Sequence, residues 1–183
     1  TAIALEEEIG KRLPRIELSD LVIEVDGWTG FSKHFEHAGG VQRRSKDFAS
    51  NLYASLLAQS CNFGLEQMAQ VTDIPYDRLD WCTTWYIREE TLRTALTTLV
   101  NYHHRLPLTL VWGGGSLSSS DGQRFPASRN VRTATALQRY FGHGRGLTFY
   151  SWTSDQFSQF GTKVIPSTTR DATYVLDELL RNE

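Results

Sequence analysis

The spacing of apolar residues changes at a run of three glycines, residues 113–115, and this change restricts the chain to a mixed fold. Before the run, apolar side chains recur every three or four residues, which is typical of amphipathic helices. After it, residues 147–153 are rich in β-branched and aromatic side chains, which favour strands. We therefore predict an α+β chain with a helical region over 1–112 and a strand-containing region over 113–183.

Helices are predicted at four places before the glycine run. Ser19 is the predicted N-cap of the first, and apolar residues over 48–57 mark the second. Residues 64–79 loosely follow a helix-turn-helix pattern, which leaves open a pair of helices that reads DNA or two helices that only pack together. The fourth begins at Glu89 and closes at the His-His-Arg of 103–105, where the charges suit the helix dipole. We therefore interpret these histidines as helix-end residues and not as metal ligands.

Three strands and a final helix are predicted after the run. The strands lie around 121–125, 147–153 and 162–166, with a long loop over 126–145 and a turn over 154–159. Thr169 or Asp171 caps the final helix, and Arg170 and Asp171 are expected to form a structural ion pair at its start. The glycine run lacks the Gly-Lys-Ser/Thr of a phosphate-binding loop, so we interpret it as a flexible connection.

Asp121 is the strongest candidate for a chemical role. It lies in Ser-Ser-Ser-Asp-Gly-Gln-Arg-Phe, residues 118–125, between small side chains and a glycine. A carboxylate in that setting can reach a metal ion or a phosphate without its own backbone in the way. Short Ser/Asp/Gly runs are also typical of turns, so the local chemistry leaves both interpretations open.

Basic residues concentrate after this segment. The whole chain has a net charge of -2, but residues 121–170 hold seven Lys or Arg against two Asp. Guanidinium groups bind phosphate oxygens through two parallel hydrogen bonds, so an Arg-rich segment suits phosphate recognition, and a surface loop with random charge is the other interpretation left open. Six of these residues are candidate phosphate contacts: Arg124, Arg129, Arg132, Arg139, Arg145 and Lys163.

Composition argues against several classes of protein. No apolar run approaches the roughly 18 residues that cross a bilayer, so no membrane partner is expected. Cys61 and Cys82 cannot form a disulfide framework, and the first residues do not resemble a signal peptide. A reducing, cytoplasmic location is the default expectation.

Several sequence blocks, in order, resemble the transposases of the Tn3 family. In the second half they are residues 118–125, 149–150, 154–156, 162–164 and 170–177. In the helical half they include Trp-Thr-Gly-Phe at 28–31 and Trp-Tyr-Ile-Arg at 85–88. The resemblance covers nearly the whole chain from about residue 20.

This resemblance implies a DDE transposase with an RNase H-like core, which cleaves and joins DNA strands in replicative, cointegrate-forming transposition. In that family three carboxylates hold two divalent metals, usually Mg²⁺, and Asp121 corresponds to the first carboxylate. Gln123 would support the geometry of Asp121, the six basic residues would contact DNA, and 113–183 would be the N-terminal part of the core. The second Asp and the Glu correspond to positions after 183, so we expect the chain alone to be inactive.

Two alternatives belong to other classes. The chain could be a non-catalytic module from a truncated element that binds DNA or forms a homodimer. It could also be an unrelated metal hydrolase that uses Asp121, Asp155 and a histidine such as His143.

Overall fold

The computed structural model describes residues 2–40, 44–128 and 130–180. The chain divides into two compact units, Thr1–Thr98 and Leu99–Glu183. The division falls inside the fourth predicted helix. The predicted boundary between residues 112 and 113 stays a prediction.

The first unit is helical. Helices α1 to α6 span Ala2–Arg12, Leu18–Thr29, Phe48–Ser60, Leu65–Val71, Tyr76–Tyr86 and Glu89–His104, and the last of them continues into the second unit. All four predicted helical regions are confirmed. The predicted cap is wrong, because the Leu21 amide already donates to the Glu17 carbonyl and Ser19 therefore lies within the first turn of α2.

Helices α3, α4 and α5 share one core. Ala58, Met68 and Leu79 are buried together there, one from each helix. The Ser55 hydroxyl donates to the Leu79 carbonyl at 3.3 Å inside this core. The helix-turn-helix pattern at 64–79 thus forms two helices whose apolar positions are used for packing, and its DNA-reading interpretation stays a prediction.

A hydrogen-bonded carboxylate anchors the end of α2. Tyr53 of α3 donates to Asp26 Oδ2 at 2.5 Å, and the Ser32 amide donates to Asp26 Oδ1 at 2.8 Å. Burial by itself would raise the pKa of the Asp26 carboxyl, but these bonds outweigh it and the pKa lies below its ordinary value. Burial and the bond to Asp26 raise the pKa of Tyr53 to about 12.

The second unit contains an antiparallel sheet. Strands β1 to β4 span Ser118–Ala127, Thr135–Ala136, Arg145–Ser154 and Gln159–Pro166. Strand β3 is central, with β1 along one edge and β2 and β4 along the other. The three predicted strands are confirmed. The prediction of an unbroken loop over 126–145 is wrong, because β2 and the short helix α7, Gln138–Phe141, form within it.

One face of this sheet is covered by the segment after β4. Tyr150, Trp152 and Ile165 are buried on that face, with Tyr174 against them. The predicted final α-helix is wrong for the described residues, which form a 3-10 turn over Asp171–Tyr174 and further turns to Leu180. One cause is that the Val175 carbonyl accepts the Trp152 indole N–H at 2.8 Å instead of serving a helix.

The predicted contacts at the start of that segment also differ. Asp171 Oδ1 accepts the Ala172 amide at 3.0 Å, and Arg170 occupies the N-cap position without a side-chain hydrogen bond. Within the described residues Asp171 forms no ion pair with Arg170. The Asp171 side chain lies instead against Gly122 of β1.

Candidate functional site

Asp121 lies on the face of the sheet opposite the buried one. It pairs with Ser151 of β3, and Ser151 pairs with Thr162 of β4, so the three side chains form a polar row across three strands. The Asp121 side chain is exposed, and its Oδ1 accepts the Gly122 amide at 2.8 Å. The second carboxylate oxygen makes no hydrogen bond to any described residue, so it is available to a ligand.

The neighbouring row on this face is more apolar. Gln123 pairs with Phe149 and Phe149 with Val164, all three on the same face as Asp121. The Phe125 and Phe149 rings meet edge to face with centroids 5.4 Å apart, and each side chain is 39% exposed. The structure brings Gln123 to the face of Asp121 without a hydrogen bond between them, and its supporting role stays a prediction.

One carboxylate does not make a metal site. In the described ranges, no group of three or more His, Cys, Asp or Glu side chains is placed to hold a metal ion. Mg²⁺ gives up its waters only where several charged oxygens replace them. Asp121 therefore fits as one ligand of such a site, and the described residues do not complete it. The grouping of Asp121, Asp155 and His143 that a separate hydrolase would need is not formed among them.

The basic residues fall into two groups. The Arg124 guanidinium lies 4.4 Å from the centre of the Tyr140 ring, and Lys163 forms an ion pair with Asp177 on the covered face. These two cations therefore have partners within the chain. The exposed members are Arg132, Arg139 and Arg145, of which Arg139 also lies over the Tyr140 ring, 5.6 Å from its centre, while Arg129 lies outside the described residues. The predicted DNA contacts of all six stay predictions.

The glycine run is held in place, so its interpretation as a flexible connection is wrong. Asp155 Oδ1 accepts the Gly115 amide at 2.9 Å, and Gln156 Nε2 donates to the Gly113 carbonyl at 3.0 Å. A Cβ on Gly113 would overlap the Asp155 carboxyl group. From the sequence we could tell only that the glycine run lacks the residues of a phosphate-binding loop. The hydrogen bonds that hold the run come from a turn about 40 residues later in the chain.

His104 joins this network. Its Nδ1 lies 2.9 Å from Gln156 Oε1, and Gln156 is only 2% exposed. The position of His104 at the end of α6 confirms its interpretation as a helix-end residue. The bond from His104 to Gln156 was not predicted. The one available signal was the Asp-Gln pair at 155–156, which contributes to the family resemblance.

Comparison with known proteins decides the family. The family model described as Tn3 transposase DDE domain matches residues 20–183. The chain belongs to this family. The resemblance found in the sequence blocks is thereby confirmed, and Asp121 lies within the matched segment.

Several transposases are similar to the Tn3-family chain along its length. The transposase for transposon Tn21 of Escherichia coli is 40% identical over 187 residues, covering 100% of this chain and 18% of that protein. The transposase for transposon Tn1546 of Enterococcus faecium is 41% identical over 93% of the chain. The transposase for transposon Tn4556 of Streptomyces fradiae is 34% identical over 97% of the chain. The chain spans about a fifth of the length of these curated relatives.

None of the described helices is both long enough and apolar enough to cross a bilayer.

Proposed function

We propose that this Tn3-family chain is part of a DNA transposase that cleaves and joins strands at transposon ends. Its second unit would form the first part of an RNase H-like core. The observation that carries the proposal is the exposed carboxylate of Asp121, which lies on the first strand of the family-matched sheet with one oxygen free. The succession of antiparallel strands β1, β3 and β4 supports the same assignment.

The chain would contribute one carboxylate to a divalent-metal centre, generally of Mg²⁺. A metal in such a centre stabilises negative charge on the phosphoryl group that is being transferred. Asp121 would hold it through the oxygen that Gly122 leaves free, and the remaining ligands would come from other parts of a longer transposase. Since the described residues form no group of three or more possible ligands, the isolated chain would be inactive.

DNA would be held by the exposed arginines of the second unit. Arg132, Arg139 and Arg145 have no ion-pair partner among the described residues, so each can neutralise a phosphate. Arg124 and Lys163 would contribute less because both are half-buried on the covered face, where they contact Tyr140 and Asp177. The substrates would be terminal inverted repeats and target DNA, joined in replicative transposition as in the transposases that the chain resembles.

The proposal is tested in a full-length transposase that contains this chain. Asp121→Asn keeps the shape of the side chain and removes its charge, so strand cleavage of a labelled terminal repeat should fall about a thousandfold or more. Asp80→Asn, an exposed aspartate on α5, is the matched control and should leave cleavage unchanged. Normal cleavage by Asp121→Asn would refute the proposal.

A second candidate function, a dimerising module, is favoured by the edge of the sheet. Within the described residues β1 pairs only with β3, so its outer edge has backbone groups open to another strand. Sedimentation of the isolated chain distinguishes the two functions. A stable dimer that Pro substitution at Ser119 abolishes would support the module, and a monomer at all concentrations would refute it.

A further inference from the structure

We infer that Asp155, Gln156 and His104 are positioning residues that fix the register of β1 and thereby the place of Asp121 on the sheet. The inference rests on the proposed function, because the register matters to chemistry only if Asp121 holds a catalytic metal. These three residues would then have a role distinct from metal binding.

The first residues of strand β1 specify its register weakly. The strand begins with the small polar residues Ser118, Ser119 and Ser120, and its packing contacts, Gly122 against Asp171 and Phe125 against Phe149, come only later in the strand. Strands of small and polar residues are the ones prone to slip against their partners. A slip of one residue would turn Asp121 to the covered face, and a slip of two would move it by about 7 Å along the sheet.

The turn between β3 and β4 is hydrogen-bonded to the segment that precedes β1. Gln156 Nε2 donates to the Gly113 carbonyl at 3.0 Å, and the Gly115 amide donates to Asp155 Oδ1 at 2.9 Å. The Asp155 amide donates to the Leu117 carbonyl at 3.0 Å. These bonds reach alternate residues immediately before β1, and they come from the direct continuation of β3. They therefore tie the two strands together at the end where Asp121 lies.

His104 fixes the orientation of the Gln156 amide. Since Nε2 donates to a carbonyl, Oε1 must face His104, and His104 Nδ1 at 2.9 Å must carry the proton. Gly115 has φ +75°, and a Cβ on it would lie 2.8 Å from His104 Cε1. The His104 ring, the Gln156 amide and the glycine run are therefore in close contact, and a shifted chain would not fit among them.

The turn keeps a costly backbone conformation. Phe157 has φ 60°, a region that bulky side chains rarely adopt, and its side chain is 74% exposed. This geometry directs the neighbouring Gln156 inward, where it is 2% exposed. Such a conformation persists only where surrounding contacts determine it, and here these contacts are the backbone bonds between Ser154 and residues 157 and 158 together with the bonds to residues 113–117.

Disulfide cross-linking of the 183-residue chain measures the register directly. In a background with Cys61→Ser and Cys82→Ala, the pair Ser119→Cys and Thr153→Cys reports the observed register. The pair Ser119→Cys and Ser151→Cys reports a slip of two residues. Adding Gln156→Ala should lower the rate of the first cross-link, relative to the second, by about tenfold or more, because His104 Nδ1 and the Gly113 carbonyl both lose their hydrogen-bond partner.

Matched variants separate register from general disturbance. Gln159→Ala removes an exposed amide of the same hairpin, bonded to Thr162 at 2.9 Å, and should leave the cross-linking ratio unchanged. Asp155→Ala should lower the ratio, whereas Asp155→Asn keeps an acceptor for the Gly115 amide and should restore it. If Gln156→Ala does not fold, His104→Phe provides the same comparison. An unchanged ratio in folded Gln156→Ala or His104→Phe overturns the inference.

Strand cleavage by the full-length transposase then connects register to chemistry. Gln156→Ala and Asp155→Ala should each reduce cleavage about tenfold or more. Asp155→Asn should cleave at the rate of the parent, whereas it would lose activity if Asp155 were a metal ligand. Normal cleavage by Asp121→Asn would refute the proposed function itself. Loss of cleavage in Asp121→Asn together with normal cleavage in Gln156→Ala and Asp155→Ala would overturn the positioning inference alone.

Discussion

Gly122 lies against the side chain of Asp171, so closely that a Cβ on Gly122 would come within 2.5 Å of Asp171 Oδ2. The glycine beside Asp121 is therefore explained by packing on the covered face and not by freedom of the backbone around the carboxylate. Gly122 is part of a regular strand pair with Tyr150. The segment after β4 thus reaches the residue next to the candidate metal ligand.

Substitution of Gly122 by alanine should destabilise the second unit. The new methyl group would displace Asp171, and overpacking of this kind costs about 1–3 kcal/mol of unfolding free energy. Urea denaturation followed by circular dichroism measures the change. Gly114→Ala is the matched control, since the nearest atom to its Cβ would be 4.0 Å away. Equal stability of the two variants would show that the Asp171 contact is not restrictive.

The bond between Tyr53 and Asp26 should make stability depend on pH at both extremes. The lowered pKa of Asp26 stabilises the fold above about pH 4, and this contribution is lost as the pH falls through the folded-state value. The pKa of Tyr53 is raised to about 12, so its contribution is complete below pH 10 and is lost as the pH rises towards 12.

Tyr53→Phe tests this bond. At pH 7 we expect a loss of about 1 kcal/mol or more of unfolding free energy, because a hydrogen bond to a carboxylate is removed. The variant should also lose less stability than the parent between pH 10 and 12. Tyr76→Phe, on the exposed side of α5, serves as the control in urea titrations across this range. A Tyr53→Phe profile parallel to that of the parent would contradict the assignment.

Removal of the exposed arginines should weaken DNA binding. We expect the triple variant Arg132→Gln, Arg139→Gln and Arg145→Gln to flatten the plot of log affinity against log salt by about 0.9 for each phosphate that the protein no longer neutralises. Fluorescence anisotropy with duplex DNA measures both affinity and slope. The control removes the same number of charges from the first unit, through Arg12→Gln, Arg15→Gln and Arg93→Gln. Equal effects of the two triple variants would mean that only net charge matters.

The isolated 183-residue chain should not cut DNA. Asp121 belongs to no group of three or more possible metal-binding side chains among the described residues, so Mg²⁺ or Mn²⁺ should bind weakly. Incubation with a labelled terminal repeat across a metal titration should therefore release no product. Reproducible cleavage that disappears in Asp121→Asn would contradict the incomplete site.

Local patterns in the sequence predicted much of the secondary structure. The helices around 48–57 and 89–103 and the strands around 121–125 and 147–153 were readable because side-chain periodicity reflects the one face that each element buries. The prediction of a final helix was wrong. It rested on the helical spacing of Ala172, Val175 and Leu179, whereas in the structure the Trp152 indole N–H donates to the Val175 carbonyl. Periodicity carries no information about such a distant donor.

The sequence by itself determined the mixed fold class, the Tn3 family and Asp121 as the candidate carboxylate, since each depends on residues close together in the chain or on ordered blocks. Tertiary structure alone decided which groups are free to act. In the folded chain Arg124 lies over the Tyr140 ring and Lys163 forms an ion pair with Asp177. Asp155 and Gln156 form hydrogen bonds with the glycine run. The physical reason is that hydrogen bonds and ion pairs are chosen by proximity in space, which the folded sheet creates between residues far apart in sequence.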